Sequence, residues 1–167
     1  MPAPIAANIF AWLLPTIRSR CVAIPVPKPP ADAASAWLAA QGARNAGRWL
    51  AYAGGAPLMA LEYASEPAAV ERLIEAVRTG RPVLPDTREE LEALAEVLQK
   101  FALDQALATW GLAPLYGLAD PKPGSAQARL DWISFARRMG PARALARHPL
   151  NPRLFAAELL AGVPRLK

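Results

Sequence analysis

The chain has very few of the side chains that most often perform catalysis or bind metals. Its 167 residues include one cysteine, Cys21, and one histidine, His148. A single cysteine excludes an internal disulfide and fits a reducing compartment, so we expect a cytoplasmic protein. A Cys/His zinc site is excluded too, because His148 has no other ligand-type residue at metal-binding spacing. We expect Cys21 to be a small buried apolar residue and His148 to lie in a turn.

The motifs of nucleotide binding and hydrolysis are missing as well. The sequence contains no Gly-rich phosphate loop with Lys-Ser/Thr, no HExxH, no nucleophile elbow and no paired catalytic carboxylates. We therefore expect no catalysis and no bound cofactor from this chain alone. No run of about 18 apolar residues is present, which argues against a transmembrane helix. The apolar stretch before Leu14 lacks the basic start of a signal peptide.

Alanine and other helix-favouring residues dominate what is present. Hydrophobic residues make up 53% of the chain and aromatic residues only 7%, which predicts a globular, helix-rich fold with small, close contacts. The net charge of +5 is uneven. Residues 1–60 have five basic and one acidic side chains (+4), residues 61–119 have five and ten (−5), and residues 120–167 have nine and three (+6). Such blocks suit docking between subunits at least as well as nucleic-acid binding.

The first part of the chain predicts three short helices after one Pro-rich segment. Residues 22–30 include four prolines in six positions, which allows only an edge strand or an extended segment. Glycines separate the helices that follow, and in the first of them Trp37 and Leu38 are predicted to face inward. The three helices are predicted over about 30–41, 43–53 and 56–63. Together they indicate a small lid-like unit.

The remainder of the chain predicts a bundle of longer helices. The predicted elements are a helix over 67–79, a helix from Thr87 to about Trp110, a helix opened by Ser125, and a helix after Pro152. Thr87 and Glu90 have the spacing of a capping box. In the helix that they open, the residues predicted to face inward are Leu91, Leu94, Leu98 and Phe101. Those predicted to lie in solvent are Glu89, Glu92, Glu96 and Lys100. The predicted fold class is all-α, with a boundary near residue 65.

The most specific stretch of the sequence is Leu13-Leu-Pro-Thr-Ile-Arg-Ser-Arg-Cys21. It resembles the Ser-Arg-Cys segment of the AAA+ clamp-loader subunits, which load the sliding clamp in DNA replication. The matching residues here are Ser19, Arg20 and Cys21. The resemblance implies that Arg20 is a trans-acting arginine finger, which reaches the γ-phosphate of ATP bound in a neighbouring subunit. A guanidinium offers phosphate oxygens a fixed charge and a planar set of donors, and such fingers are worth ~10³–10⁵ in rate.

Two other stretches extend the resemblance to about residue 160. In Gly55-Ala-Pro-Leu-Met-Ala-Leu61, Leu58 stands where the ATP-hydrolysing members have a phosphate-sensing arginine. An aliphatic side chain cannot sense a phosphate charge, so the chain looks like a non-hydrolysing delta-prime subunit of the bacterial DNA polymerase III clamp loader. The segments Leu98–Asp104 and Arg147–Phe155 are also similar to that subunit.

The resemblance implies three parts and a structural role. It implies a remnant of the AAA+ core over 1–21, a lid-like domain over 22–65 and a collar domain over 66–167. Ala7 and Phe10 stand where the family has its Thr-x-x-Pro segment, so we expect the rest of the core to be missing. The expected partners are the motor and delta subunits, bound through the collar. ATP is expected in a neighbouring subunit, and DNA is expected to be contacted indirectly.

Simpler interpretations stay open for each group of arginines. In the simpler interpretation, Arg18 and Arg20 are only solvated side chains in a turn. A stand-alone basic helical module would bind nucleic acid or another protein, with a patch of arginines following the phosphates. The members of that patch are Arg137, Arg138, Arg143, Arg147 and Arg153. Alternatively, these arginines meet the Glu-rich helix across a subunit interface, or both sets are solvated faces. An enzyme with an unfamiliar site is disfavoured, because paired titratable residues are lacking.

Overall fold

A computed structural model describes residues 14–20, 22, 27–81, 83–120 and 122–164, with only the backbone of Ile17 and Arg18. Regular structure in this part of the chain is helical throughout, which confirms the all-α class. The helices are α1 (Pro15–Arg18), α2 (Ala31–Ala40), α3 (Ala46–Tyr52), α4 (Pro57–Ser65), α5 (Pro67–Thr79), α6 (Arg88–Ala108), α7 (Ala126–Leu145) and α8 (Pro152–Ala161). Residues 23–26 of the edge strand or extended segment predicted over 22–30 lie outside the described residues, and residues 22 and 27–30 have no regular secondary structure.

Helices α2, α3 and α4 pack on one another and form a three-helix unit, residues 31–65. Ala34 and Leu38 of α2 are buried in its interior. The prediction that Trp37 also faces inward is wrong, because its side chain is 39% exposed. Trp37 precedes Leu38 by one residue and therefore lies about 100° away around the helix. Its ring reaches the edge of the unit instead of the interior.

Helix α3 begins three residues later than the sequence predicts. Gly42 has a φ of 83° and ends α2 in a left-handed turn, with the N–H of Ala43 donating to the carbonyl of Leu38 at 3.0 Å. Asn45 is left-handed as well, with a φ of 57°. A residue in the left-handed conformation is not part of a right-handed helix. The next helix therefore begins after Asn45.

Helix α6 is the central element of the bundle. Eleven of its 21 residues are buried, and it contacts α5, α7 and α8. Its predicted capping box is present, because the N–H of Glu90 donates to Thr87 Oγ1 at 3.2 Å and the Glu90 carboxylate accepts from the N–H of Thr87. The four residues predicted to face inward, Leu91, Leu94, Leu98 and Phe101, are all buried.

Helices α7 and α8 also pack on α6. Ser125 caps α7 as predicted, accepting from the N–H of Ala128 at 3.2 Å. Trp132 and Phe135 of α7 face inward, and the Trp132 ring meets Phe101 edge-on, with 5.7 Å between centroids. Helix α7 continues through Pro141, whose ring is exposed to solvent. A proline on the solvent side removes one helical hydrogen bond without disturbing the buried face.

One cluster of buried side chains joins the helices from α2 onward. It extends from Ala34 in α2 to Leu159 in α8 and includes residues of every helix from α2 to α8. The boundary predicted near residue 65 falls at the short link between α4 and α5. The two groups of helices on either side of that link share this core. The division into a lid and a collar domain stays a prediction.

Candidate functional site

Ser19 and Arg20 form an exposed turn directly after α1. The N–H of Ser19 donates to the carbonyl of Pro15 at 2.9 Å, and its hydroxyl donates to the carbonyl of Thr16 at 3.1 Å. These bonds hold the turn in place. Arg20 is exposed, and the ion pairs found among the described residues do not include it. Cys21, with its predicted burial, lies outside the described residues.

Leu58 lies on the solvent side of the first turn of α4. Its side chain is 70% exposed, and Pro57 occupies the first position of the helix. The resemblance assigns this position to a phosphate-sensing arginine in ATP-hydrolysing members. An apolar side chain offers a phosphate no donor and no charge.

Three of the five candidate C-terminal arginines pair with acids of α6 or of the segment before it. The pairs are Arg143–Glu96 at 3.4 Å, Arg147–Glu92 at 3.7 Å and Arg153–Asp86. Arg137 and Arg138 are exposed and have no acidic partner among the described residues. The acidic and basic blocks of the sequence therefore meet within one molecule. The sequence had predicted either a contact between subunits or two solvated faces. A phosphate-binding patch at these arginines would have less free positive charge than the sequence indicates.

The prediction that Lys100 lies in solvent is wrong. The residue is 8% exposed, and its ammonium group is surrounded by aromatic rings. Lys100 Nζ lies 3.7 Å from the centroid of the Tyr52 ring, 4.6 Å from that of Tyr63 and 5.6 Å from that of Tyr116. The chain contains three tyrosines, so all of them surround this one cation. Aromatic faces attract a cation electrostatically, and the attraction is larger where water is excluded.

Glu96 supplies the negative charge of the cluster. Its Oε1 atom lies 2.6 Å from Lys100 Nζ and accepts from the Tyr63 hydroxyl at 2.5 Å. The same hydroxyl lies 3.3 Å from Lys100 Nζ and accepts from it. On the other side, Arg143 Nη2 is 3.4 Å from Glu96 Oε2, and its Nη1 atom donates to Gln99 at 3.1 Å. The buried charges are thus paired and hydrogen-bonded, which offsets the cost of removing them from water.

Five elements contribute to this tyrosine–lysine cluster, which we define as Tyr52, Tyr63, Glu96, Lys100, Tyr116 and Arg143. They are α3, α4, α6, the segment after α6, and α7. No sequence pattern predicted this cluster. The spacing of Glu96 and Lys100, four residues apart on α6, was its one local signal. The tyrosines are too distant in sequence to be associated with that pair by pattern alone.

The protonation states in the cluster follow from burial and from these contacts. Burial raises the pKa of Tyr52 and of Tyr63 far above the ordinary 10.0, and the charge of Glu96 acts in the same direction. Burial lowers the pKa of Lys100, while the hydrogen bond and charge of Glu96 oppose that change. Burial alone would raise the pKa of Glu96, but the hydrogen bonds from Lys100 and Tyr63 outweigh it and hold that pKa below the ordinary 4.5. The tyrosines are therefore neutral and Glu96 ionised at neutral pH.

Asp104 organises the segment that brings Tyr116 to the cluster. Its carboxylate is fully buried near the end of α6. It accepts from three backbone N–H groups, those of Leu115 at 2.7 Å, Tyr116 at 3.0 Å and Leu118 at 2.8 Å. A carboxylate with several N–H donors is a strong hydrogen-bonding centre in a dry interior. Asp104 therefore fixes the path of the chain between α6 and α7.

An open groove of about 850 Å³ lies between the end of α6, the start of α7 and the end of α8. The charged side chains that line it are exposed: Asp120, Lys122, Asp131 and Arg138. In the described part of the chain, no three His, Cys, Asp or Glu residues converge as a metal site, and His148 lies in an exposed turn. The acidic and basic side chains of the groove are therefore open to solvent and not enclosed.

The chain has no match among known proteins in three kinds of comparison. No protein-family model matches the chain, and no curated protein or solved structure matches it either. The resemblance to clamp-loader subunits therefore depends on the sequence motifs alone. Among the described residues, none of the helices is long and apolar enough to cross a membrane.

Proposed function

We propose that this chain is the lid and collar portion of a non-hydrolysing, delta-prime-like subunit of a bacterial replicative clamp loader. The observation behind the proposal is the Leu13–Cys21 motif with an exposed Arg20, followed by a three-helix unit and then by a bundle of longer helices. This is the order of elements that the resemblance implies. In this proposal the chain is a scaffold that holds motor and delta subunits in register, in the cytoplasm.

Arg20 acts in this proposal on ATP that another subunit binds. Its exposed position in a turn held by Ser19 leaves the guanidinium free to reach a neighbour's γ-phosphate. Charge that develops on the phosphate oxygens during transfer is then stabilised by a fixed cation. The chain itself neither binds nor hydrolyses the nucleotide, in keeping with the aliphatic Leu58.

The outer face of α7 supports a role in subunit packing. Leu130 is 61% exposed and Ile133 is 36% exposed, on the side of the helix opposite the buried Trp132 and Phe135. Apolar side chains on an outer helix face favour contact with another protein. The alternative of a stand-alone nucleic-acid binder is weakened, because Arg143, Arg147 and Arg153 pair with acids of their own chain.

Reconstitution with motor and delta subunits tests the proposal. The Arg20→Ala variant of the complete subunit should co-elute with its partners in size-exclusion chromatography as the wild type does. The loss of the finger should lower DNA-stimulated ATP turnover, with a loss of ~10³-fold at the nucleotide site that it faces. Arg44→Ala is the matched control, because Arg44 is an exposed arginine in the turn between α2 and α3.

Two results would contradict the proposal at different levels. Equal turnover of the Arg20→Ala and Arg44→Ala variants would remove the finger assignment. Failure of the wild-type protein to co-elute with motor and delta subunits would remove the scaffold. Binding of duplex DNA by the isolated chain, weakening steeply with salt in a filter-binding titration, would favour the nucleic-acid alternative.

A further inference from the structure

The tyrosine–lysine cluster connects two groups of helices that are distant in sequence. Tyr52 and Tyr63 belong to the three-helix unit, whereas Glu96 and Lys100 belong to α6 of the bundle. We propose that Lys100 is the charged centre of a joint that fixes the three-helix unit on the bundle, so that loss of its positive charge loosens that unit and leaves the bundle folded. This proposal is independent of any role in a clamp loader.

Few other polar contacts join the two groups of helices. Among the described residues, the remaining side-chain hydrogen bond between them is Arg48–Glu71 at 2.8 Å, and both of its side chains are about half exposed. An exposed pair of this kind contributes little to stability. Lys100 is instead buried, and its ammonium contacts both tyrosines of the three-helix unit. The polar connection between the groups therefore depends mainly on this cluster.

The positive charge itself is required, beyond the volume of the side chain. The Tyr52 and Tyr63 rings stand nearly perpendicular to each other, with centroids 4.8 Å apart, and both rings have Lys100 Nζ within 4.6 Å of their centroids. An apolar side chain of the same length would fill the space between the rings. It would give up the attraction to the rings and to Glu96.

Among the residues that the structure describes, the charged and titratable groups around Lys100 are the other members of the cluster. Glu96 comes from α6, Arg143 from α7, Tyr116 from the segment after α6, and the other two tyrosines from α3 and α4. The pKa of Lys100 is lowered by burial whereas those of the tyrosines are raised. Burial therefore opposes both the charged form of Lys100 and the ionised form of each tyrosine.

Hydrogen exchange followed by mass spectrometry tests this joint in the full chain. The Lys100→Met variant keeps an unbranched side chain, one atom shorter, and removes its charge. We expect amide exchange over residues 46–65 to become about thirtyfold faster, because a desolvated cation–π contact is worth ~2 kcal/mol, while exchange in α7 is unchanged. Lys122→Met is the matched control, because Lys122 is exposed in the segment before α7, and it should exchange like the wild type.

Two further variants separate the charge from simple packing. Lys100→Arg retains a cation that stacks on aromatic rings and should keep wild-type exchange over residues 46–65. If Lys100→Met does not fold, Tyr63→Phe retains the ring but loses the hydroxyl that bonds Glu96 and Lys100, and it should speed exchange in the same segment to a smaller extent. Equal acceleration along the whole chain, or no acceleration over residues 46–65 in any variant, would overturn the proposal.

Discussion

Lys100 shows at the scale of a single residue why polar positions on a central helix are hard to predict. Glu96 and Lys100 were predicted to lie in solvent because both are charged and neither belongs to the stripe of inward-facing leucines. In the structure, Tyr52 and Tyr63 come from distant helices and cover them. Apolar residues beside that stripe, such as Val97, indicated that a second face of the helix is covered. A helix that is apolar on more than one face is usually surrounded by other elements.

The three tyrosines predict a particular loss of stability at alkaline pH. Their folded-state pKa values are raised above 10.0, so the unfolded chain releases these protons first. The free energy of unfolding should therefore fall as the pH rises above 10.0. Lys100 has a lowered pKa, so its titration raises the free energy of unfolding as the pH rises to 10.5. The three tyrosines outweigh this single lysine. Urea unfolding at stepped pH, followed by circular dichroism, measures the effect.

Tyrosinate absorbance gives an independent check of the same prediction. All three tyrosines of the chain lie in the cluster, so the absorbance should appear together with the loss of the helical signal. The Tyr63→Phe variant should lose stability less steeply with pH, because one of the three groups is removed. An absorbance midpoint at 10.0, the ordinary tyrosine value, in a still-helical protein would contradict the prediction.

At the scale of elements, helix ends were predictable where a short motif determines them. Gly111 has a φ of 72° and ends α6, with the N–H of Leu112 donating to the carbonyl of Leu107 at 3.1 Å. The caps at Thr87 and Ser125 depend on equally local contacts. These signals are contained in four or five consecutive residues. The side of a helix that becomes buried depends on its neighbours, which is why such local signals could not determine the exposure of a side chain like Trp37.

Asp104 gives an element-scale prediction for the segment between α6 and α7. Asp104→Asn replaces one acceptor oxygen by an NH₂ group that faces backbone N–H donors, because both oxygens accept from that segment. We expect the free energy of unfolding to fall by ~3 kcal/mol, the cost of leaving buried donors without a partner. Urea unfolding measures it. Asp131→Asn is the control, because Asp131 is exposed, and it should change stability by less than ~0.5 kcal/mol.

Equal losses for these two variants would show that the buried carboxylate does not order the segment. Amide exchange of Leu115, Tyr116 and Leu118 offers a second measurement, because their N–H groups donate to this carboxylate. Their exchange should become faster in Asp104→Asn and remain unchanged in Asp131→Asn.

At the scale of the whole molecule, the sequence revealed the charge blocks but not how they meet. The acidic residues of 61–119 and the basic residues of 120–167 were expected to meet across a subunit interface or to lie in solvent. In the fold they face each other across α6, α7 and α8. The pair Arg153–Asp86 joins residues 67 positions apart. Only the packing of the helices brings such residues together, and no local pattern contains that information.

These surface pairs predict small, salt-dependent effects. Arg147→Ala and Arg153→Ala should each lower the free energy of unfolding by less than ~1 kcal/mol at low salt, and by less at high salt, because exposed ion pairs are weak and screened. Urea unfolding at two salt concentrations measures both values. Arg137→Ala is the control, because no acid pairs with Arg137 among the described residues. A loss above ~2 kcal/mol that persists at high salt would show that these arginines act through packing.

The ion pair between the buried Lys100 and the half-buried Glu96 also constrains how this protein can change during evolution. A substitution that removes one charge leaves the other away from bulk water without its counter-ion, which is more costly than replacing both by apolar residues of similar size. Most single steps away from the pair should therefore be eliminated by selection. Among descendants of a common ancestor, we expect these two positions to be inherited together or replaced together.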